Sequence, residues 1–161
     1  MFSFFKKKDK KAPTTYALAT VVGNIFPVKD LKDGVFSENM LGEGIYIEPL
    51  ENKFYAPVSG ILETVFPTKH AFGIRTSEGI TILVHIGIDT VSLNGKGFTS
   101  KVKQGDFISE GELLAEVDFA ILKENNISKS TVVIVTGESS KKASTMLTSG
   151  KVTLETKIFE F

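Results

Sequence analysis

Two glycine-containing stretches decide the fold that this sequence predicts: APVSGIL at residues 56–62 and VKQGDFISEGELL at residues 102–114. In both, Gly or Asp stands between hydrophobic residues, where a tight hairpin needs a positive φ angle. The hydrophobic residues on either side have the composition of strand starts. We therefore expect a chain of short antiparallel strands joined by tight turns.

The chain after residue 15 consists of short apolar or alternating runs separated by Gly, Pro, Asn and Asp. Such runs are typical of strands, which we predict at residues 16–22, 45–48, 61–66, 72–76, 80–86, 113–117, 132–136 and 151–156. Short helices are predicted at residues 119–125 and 139–147. The pattern predicts an all-β fold, an antiparallel β-sandwich or barrel with short helical turns.

Length and composition predict one globular domain at residues 16–161, preceded by a flexible tail at residues 1–15. The 161 residues are 42% hydrophobic and 24% charged, which is enough for one core. The absence of cysteine excludes disulfides and thiolate nucleophiles. Nineteen basic and nineteen acidic residues leave no net charge, so no nucleic-acid partner is expected.

The N-terminal stretch MFSFFKKKDKK, residues 1–11, has its apolar residues before its lysines, the reverse of a secretory signal. No apolar run approaches the ~20 residues that span a bilayer. Two interpretations of this stretch stay open: a solvated tail, or a peripheral membrane contact through aromatic side chains and lysines. Together with the lack of cysteine, these features predict a cytoplasmic protein.

His85 lies in the stretch GITILVHIGIDTV, residues 79–91. Period-two alternation puts the apolar residues at positions 80, 82, 84 and 86 on one face of a strand, so His85 points to the opposite face. Since the apolar row is expected to face the core, the imidazole lies on the less buried side, at the strand end before Gly87. This placement favours chemistry, although a strand histidine that only bonds backbone has the same pattern.

His70 and His85 are the only two histidines, and an imidazole is the only side chain whose ordinary pKa lies near neutral pH. The two residues are nearly equidistant from the turn expected at residues 77–79. In a hairpin, residues at equal spacing from the turn lie opposite each other. The two imidazoles are therefore expected to face each other at one end of adjacent strands.

Two facing imidazoles suit phosphoryl transfer. A neutral imidazole nitrogen is a nucleophile that can also release a phosphoryl group, and a second donor can stabilise charge on the phosphoryl oxygens. The sequence lacks a P-loop, a dinucleotide-binding glycine motif, a GxSxG elbow and a HExxH helix. Nucleotide-dependent phosphate chemistry and hydrolysis through these motifs therefore have no support in the sequence.

The residues around both histidines resemble those of the glucose-type IIA proteins of the bacterial phosphoenolpyruvate-dependent sugar phosphotransferase system. The resemblance rests on residues 79–91 together with FPTKHA at 66–71 and LNGKGF at 93–98, and it extends from about residue 20 to the C-terminus. The hairpins are likewise similar to the barrel-sandwich hybrid, which these proteins share with lipoyl and biotinyl carrier domains. The tail and residues 139–149 differ from enteric members, which leaves their regulatory partners open.

The resemblance implies roles for individual residues. His85 would be the phosphoryl acceptor, His70 a hydrogen-bond donor in the transition state, and Thr68 the hydroxyl that orients His70. Gly87 would supply backbone contacts that fix the tautomer of His85, and Asp89 would lie at the rim of the site. A shallow apolar docking surface would be formed by Phe36, Met40, Leu41, Phe66, Phe72 and Val91.

A protein of this kind would accept a phosphoryl group from phospho-HPr on His85 and pass it to the IIB domain of a glucose-type sugar permease. It would be a phosphotransferase component in sugar uptake, with HPr, the IIB domain and regulatory proteins as partners. The resemblance does not decide between the two interpretations of residues 1–11, so peripheral membrane contact stays open. No cofactor is obligatory, and the resemblance allows a zinc ion shared with a partner at His70 and His85.

Three other functions stay open on the residues alone. A lipoyl or biotinyl carrier needs a lysine in the hairpin after the second stretch, where EVDF stands at residues 116–119 and the next lysine is Lys123. A zinc hydrolase could use His70, His85 and Asp89, but it lacks the His-x-His pair of barrel-sandwich peptidases. The third is a regulatory β-domain that transfers no phosphoryl group.

Overall fold

A computed structural model describes residues 13–161 of the chain. This part forms fourteen strands: β1 Tyr16–Leu18, β2 Gly23–Pro27, β3 Gly42–Pro49, β4 Lys53–Tyr55, β5 Gly60–Val65, β6 Ala71–Arg75, β7 Thr81–Ile86, β8 Phe98–Thr99, β9 Phe107–Ile108, β10 Leu113–Val117, β11 Thr131–Thr136, β12 Thr145–Met146, β13 Lys151–Val152 and β14 Lys157–Glu160. It also forms one α-helix, α1 Phe119–Glu124, and 3-10 turns at Val28–Leu31, Phe36–Glu38 and Thr90–Leu93.

The strands form one large sheet and two small ones. The large sheet has eight strands in the order β13-β2-β3-β11-β7-β6-β5-β9, and the small sheets are β1-β14-β12 and β4-β10-β8. Neighbouring strands pair antiparallel throughout. The predicted all-β antiparallel fold is confirmed, with sheets that do not close into a barrel.

The main core lies on the face of the large sheet to which the apolar side chains of β7 point. Ile82, Val84 and Ile86 are fully buried, whereas Leu83 and His85 between them are only partly buried. The neighbouring strand β6 adds Phe72 to the same core. Alternation along β7 therefore turns His85 away from the main core, because successive side chains of a strand point to opposite faces.

A second, smaller cluster covers the opposite face of the same sheet. Its buried members are Val28, Phe36, Val132 and Ile134, and Leu31, Tyr46, Leu83 and Ile88 pack against it. The first two come from the 3-10 turns between β2 and β3, so this connecting segment lies over β11 and β7. His85, which shares its strand face with Leu83, stands beside this cluster.

Of the two predicted helices, one is present in the structure and the other is not. The first is confirmed as α1, where the Asp118 side chain accepts a hydrogen bond from the Ala120 amide. The helix predicted at residues 139–147 is wrong, because its serines bond elsewhere: the Ser139 hydroxyl accepts from the Thr81 amide, and Ser140 bonds the carbonyl oxygens of Gly79 and Glu78. Serine side chains that bond distant backbone groups compete with helical hydrogen bonds.

The predicted membrane contact through residues 1–11, and residues 1–12 of the tail predicted at residues 1–15, lie outside the described residues. The division into a tail at residues 1–15 and a domain at residues 16–161 stays a prediction. Among the described residues, no helix has both the length and the apolar character required to cross a membrane.

Candidate functional site

The hairpin of β6 and β7 brings the two histidines together. His70 immediately precedes β6, and the next residue, Ala71, is the cross-strand partner of His85. The Ile86 amide donates a 2.8 Å hydrogen bond to the His70 carbonyl, which holds the end of the hairpin closed. The two imidazole centroids are 4.8 Å apart with the rings almost perpendicular, at 81°.

The tautomer of His85 follows from its hydrogen bond to Gly87. Nδ1 of His85 lies 2.8 Å from the Gly87 carbonyl oxygen. Because a carbonyl can only accept, Nδ1 carries the proton and Nε2 of a neutral ring has the free lone pair. Gly87 has a φ of 80°, and a Cβ there would lie 2.8 Å from the Ser128 carbonyl oxygen and also strike Thr90, so only glycine fits this turn.

His70 is held by the turn that precedes β6. Its Nδ1 lies 2.6 Å from the Thr68 hydroxyl, and only 1% of its surface is exposed. Between them, Lys69 adopts a positive φ of 63°, donates its amide to the Phe66 carbonyl, and places its ammonium 3.1 Å from the Val102 carbonyl. These contacts position His70 relative to Thr68 on one side and His85 on the other.

Both imidazoles are neutral at neutral pH. Burial lowers the pKa of His70 to about 4, and the neighbouring His85 adds to that shift. Burial also lowers the pKa of His85, against the opposing effects of its Gly87 hydrogen bond and the carboxylates of Asp33 and Asp89. A neutral imidazole has the free lone pair that a nucleophile needs.

The depressed pKa of His70 makes the protein less stable in acid. The unfolded chain binds a proton at His70 near pH 6.5, whereas the folded chain does so only near pH 4. We therefore expect stability to fall as the pH drops from about 6.5 to about 4, by up to about 3 kcal/mol from this residue. Chemical unfolding between pH 4 and 7 measures it: His70→Gln should lose less stability than the wild type, and parallel curves would contradict the expectation.

Aromatic rings surround the histidine pair. The Phe36 ring centroid lies 5.0 Å from that of His85, and the centroids of Phe66 and Phe98 lie 5.4 Å and 6.3 Å from that of His70. Apolar walls of this kind exclude water from around the imidazoles, which agrees with burial as the first cause of their lowered pKa values.

Two of the residues predicted for the docking surface are not exposed. Phe72 has no exposed surface and belongs to the main core, because it pairs with Val84 on the inner face of the sheet. Phe36 is 7% exposed and belongs to the second cluster, so it forms a wall beside His85 rather than an outer surface. The prediction is therefore wrong for Phe72, and Phe36 contributes from beneath the surface.

The other predicted surface residues are exposed. Met40 is 69% exposed, Val91 57%, Leu41 46% and Phe66 40%. Met40 follows the 3-10 turn that carries Phe36, whereas Val91 lies in the 3-10 turn that follows β7. Phe66 precedes β6, and its ring packs against that of His70. The exposed apolar side chains therefore lie on three segments, the connections before β3, before β6 and after β7.

Asp33 lies near the site, although it is not among the residues predicted from the sequence. Its carboxylate accepts hydrogen bonds from the amides of Val35, Phe36 and Ser37, and these bonds lower its pKa despite burial. It thus shapes the turn that carries Phe36. Its negative charge also raises the pKa of His85, although the two residues are far apart in the sequence. An Asp-Gly pair before an apolar residue is a turn signal, but nothing in it indicates proximity to His85.

Asp89 is exposed and has a positive φ of 62° at the start of the 3-10 turn after β7. Among the described residues, no group of three or more His, Asp or Glu side chains lies close enough to hold a metal ion. Asp89, His70 and His85, the three ligands that a zinc hydrolase would use, therefore do not form such a group.

Comparisons with known proteins agree on one family. Residues 15–141 match the family model described as phosphoenolpyruvate-dependent sugar phosphotransferase system, EIIA 1. The chain is 45% identical over 138 residues to the PTS system glucose-specific EIIA component of Mycoplasma capricolum subsp. capricolum, a match that covers 86% of each chain. It is 37% identical over 133 residues to the protein of the same name from Oceanobacillus iheyensis, covering 83% of this chain and 81% of that one.

Two further similarities extend this result. A glucose-specific EIICBA component of Streptococcus pneumoniae is 39% identical over 136 residues, which are 84% of this chain and 19% of that protein. The solved structure of glucose permease IIA from Mycoplasma capricolum superposes with a TM-score of 0.82 at 38% identity, covering 99% of this chain and 98% of that one.

Proposed function

Because the chain belongs to the EIIA 1 family of the phosphoenolpyruvate-dependent sugar phosphotransferase system, we propose that it accepts a phosphoryl group on His85 from phospho-HPr and passes it to the IIB domain of a glucose-type permease. The general activity follows from the family: the chain is a phosphotransferase component that serves sugar uptake. The observation that supports the proposed route is the pair of neutral imidazoles 4.8 Å apart.

In the proposed transfer, the lone pair on Nε2 of His85 attacks phosphorus. The bond between Nε2 and phosphorus forms as the bond between phosphorus and the donor breaks, and the electron pair of that bond returns to the donor. His85 needs no proton acceptor, because its proton stays on Nδ1 in the hydrogen bond to Gly87. Passing the group to the IIB domain repeats the step with His85 as the leaving group.

His70 would stabilise the phosphoryl oxygens during both steps. If the Thr68 hydroxyl donates to Nδ1 of His70, then Nε2 of His70 carries the ring proton and donates it to a phosphoryl oxygen in a hydrogen bond. The carboxylates of Asp33 and Asp89 add negative charge near His85. They therefore disfavour prolonged binding of an anionic group, which suits a carrier that has to release it.

The experiment for this proposal incubates the purified full chain with phosphoenolpyruvate, enzyme I and HPr. We expect a mass gain of one phosphoryl group that is lost in acid, since phosphohistidine is acid-labile. No gain, or a gain that survives acid, would contradict the proposal. Release of the label to a purified IIB domain tests the second step.

The partners would dock on the exposed apolar residues around the histidines. A charge introduced at Met40 should weaken binding of HPr and of the IIB domain by about tenfold or more, because an unpaired carboxylate would have to be desolvated in the interface. Titration calorimetry with Met40→Asp measures the effect. Ile61→Asp is the matched control, since Ile61 is 44% exposed and pairs with Arg75 at the opposite end of the hairpin.

Equal affinities for Met40→Asp and Ile61→Asp would contradict the proposed docking surface. Val91→Asp, in the 3-10 turn that follows β7, provides the independent variant.

A zinc ion shared with a partner at His70 and His85 stays a prediction. The two imidazoles would supply two of the four ligands of a tetrahedral zinc site. Action in the cytoplasm, where phosphoenolpyruvate is available, is likewise part of the proposal.

A further inference from the structure

The two peptide groups on either side of Gly87 take their positions from the turn at residues 128–130. The Gly87 amide donates a 3.0 Å hydrogen bond to the Ser130 carbonyl, and the Ile88 amide donates a 3.1 Å bond to the Ser128 carbonyl. The carbonyl of this same Gly87 accepts from Nδ1 of His85. A shift of the turn would therefore move the group that sets the tautomer of His85.

A chain of hydroxyl hydrogen bonds ties that turn to a carboxylate. The Ser130 amide donates to the Ser128 hydroxyl at 3.1 Å, the Ser128 hydroxyl donates to that of Ser130 at 3.0 Å, and the Ser130 hydroxyl donates to Oε2 of Glu48 at 2.5 Å. Ser130 is only 4% exposed. Its hydroxyl therefore has little access to water and depends on Glu48 as acceptor.

The register of the large sheet explains why Glu48 can reach this turn. Tyr46 and His85 both pair with Val132 of β11, which lies between β3 and β7. Two residues further along each strand, Glu48, Ser130 and Gly87 form the next row on the same face. The carboxylate thus acts across one intervening strand, although 37 positions separate Glu48 from His85 in the sequence.

We propose that Glu48 and Ser130 are positioning residues for phosphoryl transfer, which hold the Gly87 carbonyl against Nδ1 of His85 and thereby keep Nε2 free and oriented. The expected effect of these two residues on the transfer rate rests on the proposed function. Their expected effect on the tautomer of His85 does not, because it is measured in the unphosphorylated protein. A hydrogen bond to a carboxylate is roughly twice as strong as one between neutral groups. The charge of Glu48 therefore holds the serine turn more firmly than a neutral acceptor would.

The primary experiment records nitrogen-15 NMR spectra of the His85 imidazole in the unphosphorylated full chain. Glu48→Ala should change the Nδ1 and Nε2 shifts of His85 towards a mixture of tautomers. Rapid-quench transfer from phospho-HPr should slow by about tenfold, which is less than the ~10²–10³ lost with a direct transition-state donor, because Glu48 acts only through the orientation of His85. Glu48→Gln should recover most of the rate, because its amide oxygen still accepts from Ser130.

Glu51→Ala is the matched control, since Glu51 is an exposed carboxylate in the turn after β3. Ser130→Ala removes the hydroxyl at the other end of the hydrogen bond to Glu48. Thermal unfolding is recorded for Glu48→Ala and for Ser130→Ala. An unchanged His85 tautomer together with an unchanged transfer rate in Glu48→Ala would overturn the proposal. A wild-type protein that accepts no phosphoryl group would contradict the proposed function instead, while the tautomer comparison still decides the positioning of His85.

Discussion

Replacing His85 with alanine should abolish acceptance of a phosphoryl group from phospho-HPr while the protein stays folded. The imidazole supplies the nucleophilic nitrogen, and the chain has only one other histidine, which is 1% exposed and bonded to Thr68. His85 itself is only partly buried and lies outside the main core. The loss should therefore be chemical rather than structural.

The measurement is the acid-labile mass gain with phosphoenolpyruvate, enzyme I and HPr, compared between wild type and His85→Ala at matched thermal stability. His85→Gln serves as a second variant, because it retains much of the side-chain volume beside Phe36 without an imidazole. Labelling of either variant at the wild-type rate would show that another residue accepts the group.

Replacing His70 with alanine should slow transfer through His85 by ~10²–10³-fold, the usual effect of removing one preorganised hydrogen-bond donor from a transition state. The ring lies 4.8 Å from that of His85 and is held by Thr68 and the Lys69 turn, so little reorganisation is needed when charge develops on the phosphoryl oxygens. Rapid-quench kinetics from HPr and onward to the IIB domain measure both directions.

Two further variants separate the physical contributions of His70. His70→Gln can donate one hydrogen bond but cannot become cationic, so its rate should lie between wild type and His70→Ala if hydrogen bonding dominates. Because burial lowers the pKa of His70 to about 4, we expect the neutral donor to be the active form. Thr68→Val should have a smaller effect, since it only releases the orientation of the ring.

Wild-type rates in His70→Ala in both directions would contradict this division of roles. A stable phosphoryl group found on His70 in the wild-type protein would contradict it as well, since His70 would then be an acceptor. Unfolding curves are needed beside the kinetics, because His70 is almost fully buried and its truncation leaves a cavity.

Local sequence patterns were sufficient for the elements closest to the site. The alternation in residues 79–91 predicted both a strand and the outward direction of His85, because the side chains of a strand alternate with a period of two. Equal spacing from the turn predicted that His70 and His85 would meet, because hairpin register follows from turn position. Both inferences use geometry within a single hairpin.

Tertiary packing decided which apolar residues are exposed. Phe36 and Phe72 were both predicted for the docking surface, yet Phe72 lies in the main core and Phe36 in the second cluster. For Phe72 the alternation with Gly73 and Arg75 in β6 is a local indication of the core face. No such pattern distinguishes Phe36 from Met40, because apolar composition alone cannot tell a second buried face from an exposed one.

The sequence by itself determined the strand that carries His85, its hairpin with β6 and, through the motifs around both histidines, the family. Only the tertiary structure brought Asp33 near His85 and connected Glu48 through Ser130 to the Gly87 carbonyl. The physical reason is the sequence distance of the contacts. A turn and an alternating strand are specified by neighbouring residues, whereas these contacts depend on the order of β3, β11 and β7 in the sheet and on the segment that folds over it.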